Sequence, residues 1–496
     1  MRAARVLAAL TATLALLTPA AAARAGSDPG PRTPIHHFVY LMQGGRTFDN
    51  YFGTFPGADG LPAGTCQLRS VQDHSQGCVR PFALHGTVPA PLSPTRSIIG
   101  NQLDRGRMDG FVSAYTRQGR DGSTAMGHYD GRDLPFSWAA AQHGALFDRF
   151  FSAAPYGAAT ERSYWVSAAP APGSGDKVPA GGYGDRPTIF DRLQQAGVSW
   201  KFYVEGYRPQ ETFRTAGSTQ PVRVPLLGYA RFVDDPALRG HIVGLGQYYR
   251  DLDNGTLPSV AYIATNGSAE RSARSIPAGQ HLIRNLATQL AVSHYWDSSA
   301  LLWTYDGSGG WYDHVAPPRA TDGPRGLRVP AVLLSPYARQ GHVDHAVLDS
   351  AGALRFVEDN WRLKPLTRRD AIAASIAGAF DFGHGPRAPQ VLPAVRARHP
   401  VGRIDSPLVY GIYGTAVSAV VLLAVYAAQV SARSPLDVPF RRPGAGSRPG
   451  RPTASPRPDG HSAASRPDRS AAGTPLRRSA AGVPPRVPGL RKGPER

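Results

Sequence analysis

Residues 38–53 read FVYLMQGGRTFDNYFG, and the way this stretch divides decides the fold. Phe38 to Met42 is an unbroken apolar run of the length of a strand buried on both faces. Gln43-Gly44-Gly45 ends it, and an aromatic-rich turn carrying Asp49 follows as far as Gly53. The same figure recurs where Ala300 to Thr304 leads into Tyr305-Asp306-Gly307-Ser308-Gly309-Gly310-Trp311-Tyr312-Asp313-His314. Further runs of this kind are Trp200 to Val204, Val260 to Ile263 and Val329 to Leu334. Between them fall amphipathic stretches such as Leu282, Ile283, Leu286 and Leu290 at helical spacing. Alternating strands and helices predict an α/β fold with a mostly parallel sheet sandwiched by helices. In such sheets ligands lie beyond the carboxyl ends of strands, so the two Gly-rich turns are where chemistry is to be sought.

The flanks are of other kinds. In 496 residues, 55 Lys and Arg against 36 Asp and Glu leave a net charge of +19, and the 42% hydrophobic content excludes a wholly disordered chain. From Ser431 to Arg496 there are 14 basic and four acidic residues, so this tail holds over half of the net charge. Rich in Arg, Pro, Ser, Gly and Ala, it lacks the apolar periodicity of a packed element and is expected to be disordered, not a nucleic-acid-binding patch on a fold. Its default role is a solvated topology-setting tail; its arginines suit anionic lipid head groups and its prolines a cytoplasmic partner.

Before the tail, residues 407–430 carry the uncharged run LVYGIYGTAVSAVVLLAVYAAQV after Pro407. A helix of that length spans a hydrocarbon core of about 30 Å, with the basic flank on the cytoplasmic side. The alternative is a buried core helix. Residues 1–25 have the Arg2 and Arg5 flank, apolar stretch and Ala-x-Ala spacing of a secretory signal. Together these predict an extracellular body over 33–400, one transmembrane helix and a cytoplasmic tail over 431–496. Cys66 and Cys78, the only cysteines, would then lie in an oxidising compartment as a disulfide; the alternative is two free thiols. Two cysteines exclude a Cys-rich zinc module, and there is no P-loop or dinucleotide fingerprint.

The segments LMQGGRTFDNYFG at Leu41, RMDGF at Arg107, MGHYDGRDLPF at Met126, PTIFDRLQQAGVSWKFY at Pro187, GTLPSVAYI at Gly255, WTYDGSGGWYDHVAPP at Trp303, RVPAVLLSPYAR at Arg328 and LRFVEDNWRL at Leu354 resemble the bacterial phosphoesterase family. That family includes phospholipase C and acid phosphatase enzymes and shares the alkaline-phosphatase-like fold. The resemblance runs from about Ile35 to Phe382 and implies hydrolysis of phosphate esters. It also implies a divalent cation on oxygen ligands, a Ser or Thr nucleophile and basic side chains steadying the phosphoryl charge.

Carried over position by position, the chemistry thins out. The first family motif reads ENRSFDHYFG, with Glu and Asn at the metal; here Gly44 and Gly45 stand in those places. The strand-end motif continues Asp-Glu or Asp-Asp; here Asp306 is kept as a vestigial ligand and Gly307 follows. The nucleophile motif, similar to GPTxPNR, aligns with Tyr156 to Arg162 and puts Ala158 at the nucleophile, with Thr160 and Ser163 as the candidates under a register slip. Two family histidines align with Arg223 and Arg271, which become candidates for anion binding, with surface salt bridges as the alternative, and Gly44-Gly45 offers backbone N–H groups as a nest. Asp49, Asp313 and His314 read as braces of their turns. His36, His37 and His128 have no ligand partner by spacing.

Two function classes follow. One is a catalytically degenerate, membrane-anchored family member that needs no cofactor and binds a phosphorylated small molecule, a phospholipid or a cell-surface ligand. The other is an active phospholipase C-like or acid phosphatase-like hydrolase with a divalent metal. Neither predicts nucleic acid as partner.

Overall fold

The computed structural model of the protein describes residues 30–173, 175–390, 392 and 418–429. The chain divides into two units, Met1–Asp405 and Ser406–Arg496. In the first, eight strands form one sheet: β1 His37–Gln43, β2 Ala145–Phe147, β3 Trp200–Val204, β4 Ile242–Gly244, β5 Val260–Ala264, β6 Ser299–Tyr305, β7 Ala331–Leu334 and β8 His342–Asp344. Their order is β8-β2-β7-β6-β1-β5-β3-β4. Every pairing is parallel except those of β7, which runs antiparallel to both β6 and β2. The sheet is therefore mostly parallel, as the alternating runs predict.

Helices cover both faces, as the alternation of strand side chains requires. The short α1 Phe48–Phe52 follows β1, and the covering helices include α2 Ala158–Ser167, α3 Ile189–Ala196, α4 Gly246–Asp253, α5 Ile276–Val292 and α6 Ser350–Asn360. On one face Tyr40 of β1 meets Trp165 of α2 edge-on at 5.7 Å, and Trp165 stacks on Tyr262 of β5 at 4.9 Å. Phe190 of α3 packs on Tyr262, and Phe356 of α6 on Phe38. On the other face Tyr203 of β3 meets Tyr248 of α4, whose hydroxyl donates to the Leu286 carbonyl of α5. Helix starts are locally encoded: Thr47 caps α1, Thr188 and Asp191 form a capping box on α3, and Asp349 caps α6.

One register sets up the site. β1 and β6 pair residue for residue from His37 with Ser299 to Gln43 with Tyr305, so the two strands end level and Gly44-Gly45 emerges beside Asp306.

Cys66 and Cys78 are disulfide-bonded across a Cα–Cα distance of 5.5 Å. Among the described residues no helix is long and apolar enough to cross a membrane. Of the predicted span, residues 418–429 are helical, and 407–417 and 430 lie outside the described residues, as do the predicted signal at 1–25 and the tail at 431–496.

Candidate functional site

At the ends of β1 and β6 the Asp306 carboxylate is buried and fully engaged. Gly45 N–H donates to its Oδ1 at 3.1 Å. Arg162, fully buried on α2, donates to Oδ2 from Nε at 2.9 Å, with its Nη2 2.8 Å from the same oxygen as an ion pair, and Arg271 Nη2 donates to that oxygen too. Burial alone would raise the Asp306 pKa, but Arg271, Arg162 and the Gly45 N–H outweigh it and hold the carboxyl below its ordinary range. The backbone N–H expected to form an anion nest at Gly45 is thus committed to Asp306.

The residues around Asp306 do not fit a divalent cation, which draws on several oxygen ligands. A Cβ at Gly44 would lie 2.5 Å from Arg271 Cγ, so the arginine stem fills the space into which a side chain would project. Gly45 sits at φ +41°, and a Cβ there would lie 3.2 Å from the Gly309 Cα. Guanidinium groups stand around the carboxylate where ligand oxygens would be needed.

Two other groups have donors close enough together to hold a metal ion: Asp49 with Asp313 and His314, and His85 with Asp130 and Asp133. Each already holds an arginine. Fully buried Arg328 donates to Asp313 at 2.8 Å and to Asp49 at 2.9 Å, and also to the carbonyls of Asp59 and Asp148. His314 Nδ1 lies 2.8 Å from Asp49 Oδ2. Burial and the Asp49 charge push Asp313 up to about 7 against the pull of Arg328. In the second group, Arg132 donates to Asp130 and contacts His85.

A cavity of about 310 Å³ opens over Asp306. It is lined by Gly45, Gly307, Arg271 and Trp311, by Tyr156, Ala158 and Glu161, and by the proline-rich segment 89–94. Ala158 opens α2, behind an N-cap Gly157 at φ +96°, and its methyl group faces the cavity side of the helix start without a hydroxyl to offer. Ser163 is buried on α2 and donates to the Ala169 carbonyl at 2.9 Å, away from the cavity. Thr160 is not among the cavity-lining residues.

Arg271 lines the cavity with its side chain 47% exposed. Arg223 stands behind, its carbonyl accepting from Arg162 Nη1 at 3.1 Å and its Nη1 donating to Thr219. The Arg223 Nε is buried with no hydrogen-bond partner among the described residues. Burial lowers the pKa of Arg223, and Arg271 adds to the effect, which places the two cations within electrostatic reach of each other. His37 Nδ1 lies 3.1 Å from the Pro258 carbonyl, and His128 Nδ1 is buried without a hydrogen-bond partner among the described residues.

Glu161 carried no signal in the sequence beyond its place in the nucleophile segment. It is 3% exposed, accepts from the Ala154 N–H at 2.9 Å and lines the cavity. Burial pushes its carboxyl up to about 7.

The phosphoesterase family model matches residues 35–364. The chain is 26% identical over 449 residues to the non-hemolytic phospholipase C of Burkholderia pseudomallei (strain K96243), covering 74% of this chain and 63% of that protein. It is 26% identical over 426 residues to phospholipase C A of Mycobacterium tuberculosis (strain ATCC 25618 / H37Rv), covering 73% and 80%. It is also 26% identical over 411 residues to non-specific phospholipase C1 of Arabidopsis thaliana, covering 73% and 74%. The chain thus spans somewhat less than two thirds of the Burkholderia protein. Among solved structures it is similar to the phosphonate monoester hydrolase of Agrobacterium radiobacter, at 11% identity and a TM-score of 0.36, over 71% of this chain and 78% of that one. A Vibrio parahaemolyticus protein in the alkaline phosphatase superfamily matches at 13% identity and a TM-score of 0.31, over 46% and 60%.

Proposed function

The chain belongs to the phosphoesterase family, and from that premise we propose that it is a catalytically silent member whose pocket binds a phosphorylated ligand without metal. The observation that carries this reading is the engagement of Asp306 by Arg162, Arg271 and Gly45 N–H, with the Arg271 stem lying over Gly44. Two guanidiniums, of Arg162 and Arg271, hold one ionised carboxylate and leave a net positive charge at the cavity floor. Arg271 spends one N–H on Asp306 and is half open to solvent. Its remaining donors form a fork suited to a phosphoryl oxygen pair, which a lysine or a neutral imidazole could not present.

Hydrolysis lacks its parts. The place aligned with the nucleophile is a methyl group, and no cation site remains at Asp306 to neutralise the phosphoryl charge. Losing one well-placed transition-state donor costs about 3 kcal/mol, or a hundredfold and more in rate; here several are missing together. The ligand class is a phosphate ester, from a small molecule, a phospholipid or a partner at the cell surface. The uncharged run at 407–430 and the Cys66–Cys78 disulfide support a body held outside the membrane on a single span, with the basic tail inside.

The test is metal analysis of the purified full chain together with hydrolysis of a chromogenic phosphate monoester and diester, with and without added divalent cations. The expected result is no stoichiometric metal and no turnover, with salt-sensitive, chelator-insensitive binding of the esters. Stoichiometric metal and turnover abolished by Asp306→Ala would establish instead the phospholipase C-like hydrolase that the relatives' names suggest.

A further inference from the structure

Two carboxyls line the cavity, Asp306 and Glu161, and they are handled in opposite ways. Asp306 is held by two guanidiniums. Glu161 forms no ion pair among the described residues; its Oε2 accepts from the Ala154 N–H. Burial disfavours its charged form, and the Ala153 and Ala154 N–H groups favour it. Two acidic neighbours side with burial, Asp306 after β6 and Asp349 at the start of α6, the latter paired with Arg325 and with Arg369. Arg369 Nη2 also donates to the Ala153 carbonyl, and Tyr40 of β1 and Tyr164 of its own helix lie within electrostatic reach. Arg162, its neighbour on α2, is turned to Asp306 and the Arg223 carbonyl.

A buried carboxylate in that company would repel any anion drawn in by Arg271, and burial already favours its neutral form. Resting on the anion-binding reading above, we infer that Glu161 meets a bound oxyanion as a carboxylic acid, its O–H donating to one anionic oxygen, so that on the alkaline side, where the free site has lost that proton, each anion enters with one proton. The proton comes from solvent and stays on Glu161; no covalent bond changes. Arg271 then supplies the charge and Glu161 a single directed donor into the same cavity. The site is thereby tuned to oxyanions under neutral to acidic conditions.

The experiment is isothermal titration of the full chain with inorganic sulfate and with dimethyl phosphate, neither of which gains or loses a proton between about pH 5.5 and 9. It is run in two buffers of different ionisation enthalpy, so that proton uptake is counted directly. The expected affinity is flat below about pH 6 and falls about tenfold per pH unit above about pH 8, with uptake approaching one proton per anion on the alkaline side. In Glu161→Gln the amide still accepts from Ala154 and still donates, so the pH dependence and the proton uptake both disappear. If that variant does not fold, the proton count of the wild-type chain decides. Binding that is flat from pH 6 to 9 with no proton uptake would overturn this inference and leave the anion-binding reading standing. No binding of either probe at any pH would remove both.

Discussion

At the scale of single residues, the site turns on the exclusion between position 44 and Arg271. A side chain at 44 and the present course of Arg271 cannot coexist, because the Cβ would lie 2.5 Å from Cγ. Gly44→Glu should therefore not restore metal binding by itself. It forces the arginine off Asp306 and leaves a buried carboxylate with a weaker partner, at a cost of about 1–3 kcal/mol. In an Arg271→Ala background the same substitution should cost less by about 1 kcal/mol or more, a coupling that a double-mutant cycle of denaturant melts reads directly. Additive costs would show that Arg271 does not fill that space. That Gly44, Gly45 and Ala158 offer no ligand oxygen or hydroxyl was legible in the sequence, since it is a matter of residue type. What holds Asp306 was not. Arg162 lies 144 residues from Asp306 along the chain, and only the level ends of β1 and β6 and the seating of α2 bring guanidinium and carboxylate together. The same holds for Arg328, read in the sequence only as part of a strand segment, which gathers Asp49 and Asp313 into one buried brace.

Among the elements, those that announced themselves are the long ones. β1, β3, β5, β6 and β7 each carry four or more consecutive buried residues or nearly so, and α5 shows its buried stripe at Leu282, Ile283, Leu286 and Leu290. β2, β4 and β8 have three residues each. Strands so short have no period of their own and take their stability from the neighbour they pair with. The antiparallel course of β7 was likewise beyond reach, because an apolar run does not state its direction. α2 escaped for a different reason: Glu161 to Ser167 are buried consecutively, so it has no polar face to reveal a helical period. Its anchor is Trp165, fully buried between Tyr40 and Tyr262. Trp165→Ala should cost about 3–5 kcal/mol in chemical denaturation, whereas Val292→Ala on the 69% exposed end of α5 should stay within about 0.5 kcal/mol. Equal effects would mean that α2 is not seated on the sheet through this side chain. Because α2 carries Ala158, Glu161 and Arg162 together, loosening it should also weaken anion binding.

For the whole molecule, the balance of buried carboxyls fixes how stability follows pH, and the sign can be worked through. Burial pushes Glu161 and Asp313 up to about 7 in the folded protein, whereas an unfolded chain releases such protons near about pH 4. Between those values the folded state holds protons that the unfolded state has lost, so these two groups stabilise fully on the acid side and lose that contribution as pH rises to about 7. His314 acts in the same sense: burial lowers its pKa, but the hydrogen bond to Asp49 outweighs that and raises it overall. Asp306 and Asp349 act oppositely. Their pKa values are depressed because paired arginines outweigh burial, and their contribution is lost only as pH falls below the ordinary carboxyl range. His37 and His128, lowered chiefly by burial, weaken the fold as pH drops through about 6.5. Glu358, pushed up to about 10 by burial and the neighbouring Asp370, acts in the same sense over a wider window, and burial raises Glu270 too, so the melting temperature should be higher near pH 5 than near pH 8. Glu161 moves from about 4.5 to about 7; at about 1.4 kcal/mol per pH unit, this bounds its share at about 3 kcal/mol. Glu161→Gln should remove that share, flattening the profile between pH 5 and 7 without changing its acid limb, which belongs to Asp306 and Asp349. Calorimetric melts of the two proteins across pH 4 to 9 decide it. A wild-type profile that climbs steadily from pH 5 to 8 would mean that Glu161 and Asp313 are ionised in the folded state, in which case an anion entering the cavity would find Asp306 and Glu161 both as carboxylates instead of a carboxylate and an acid.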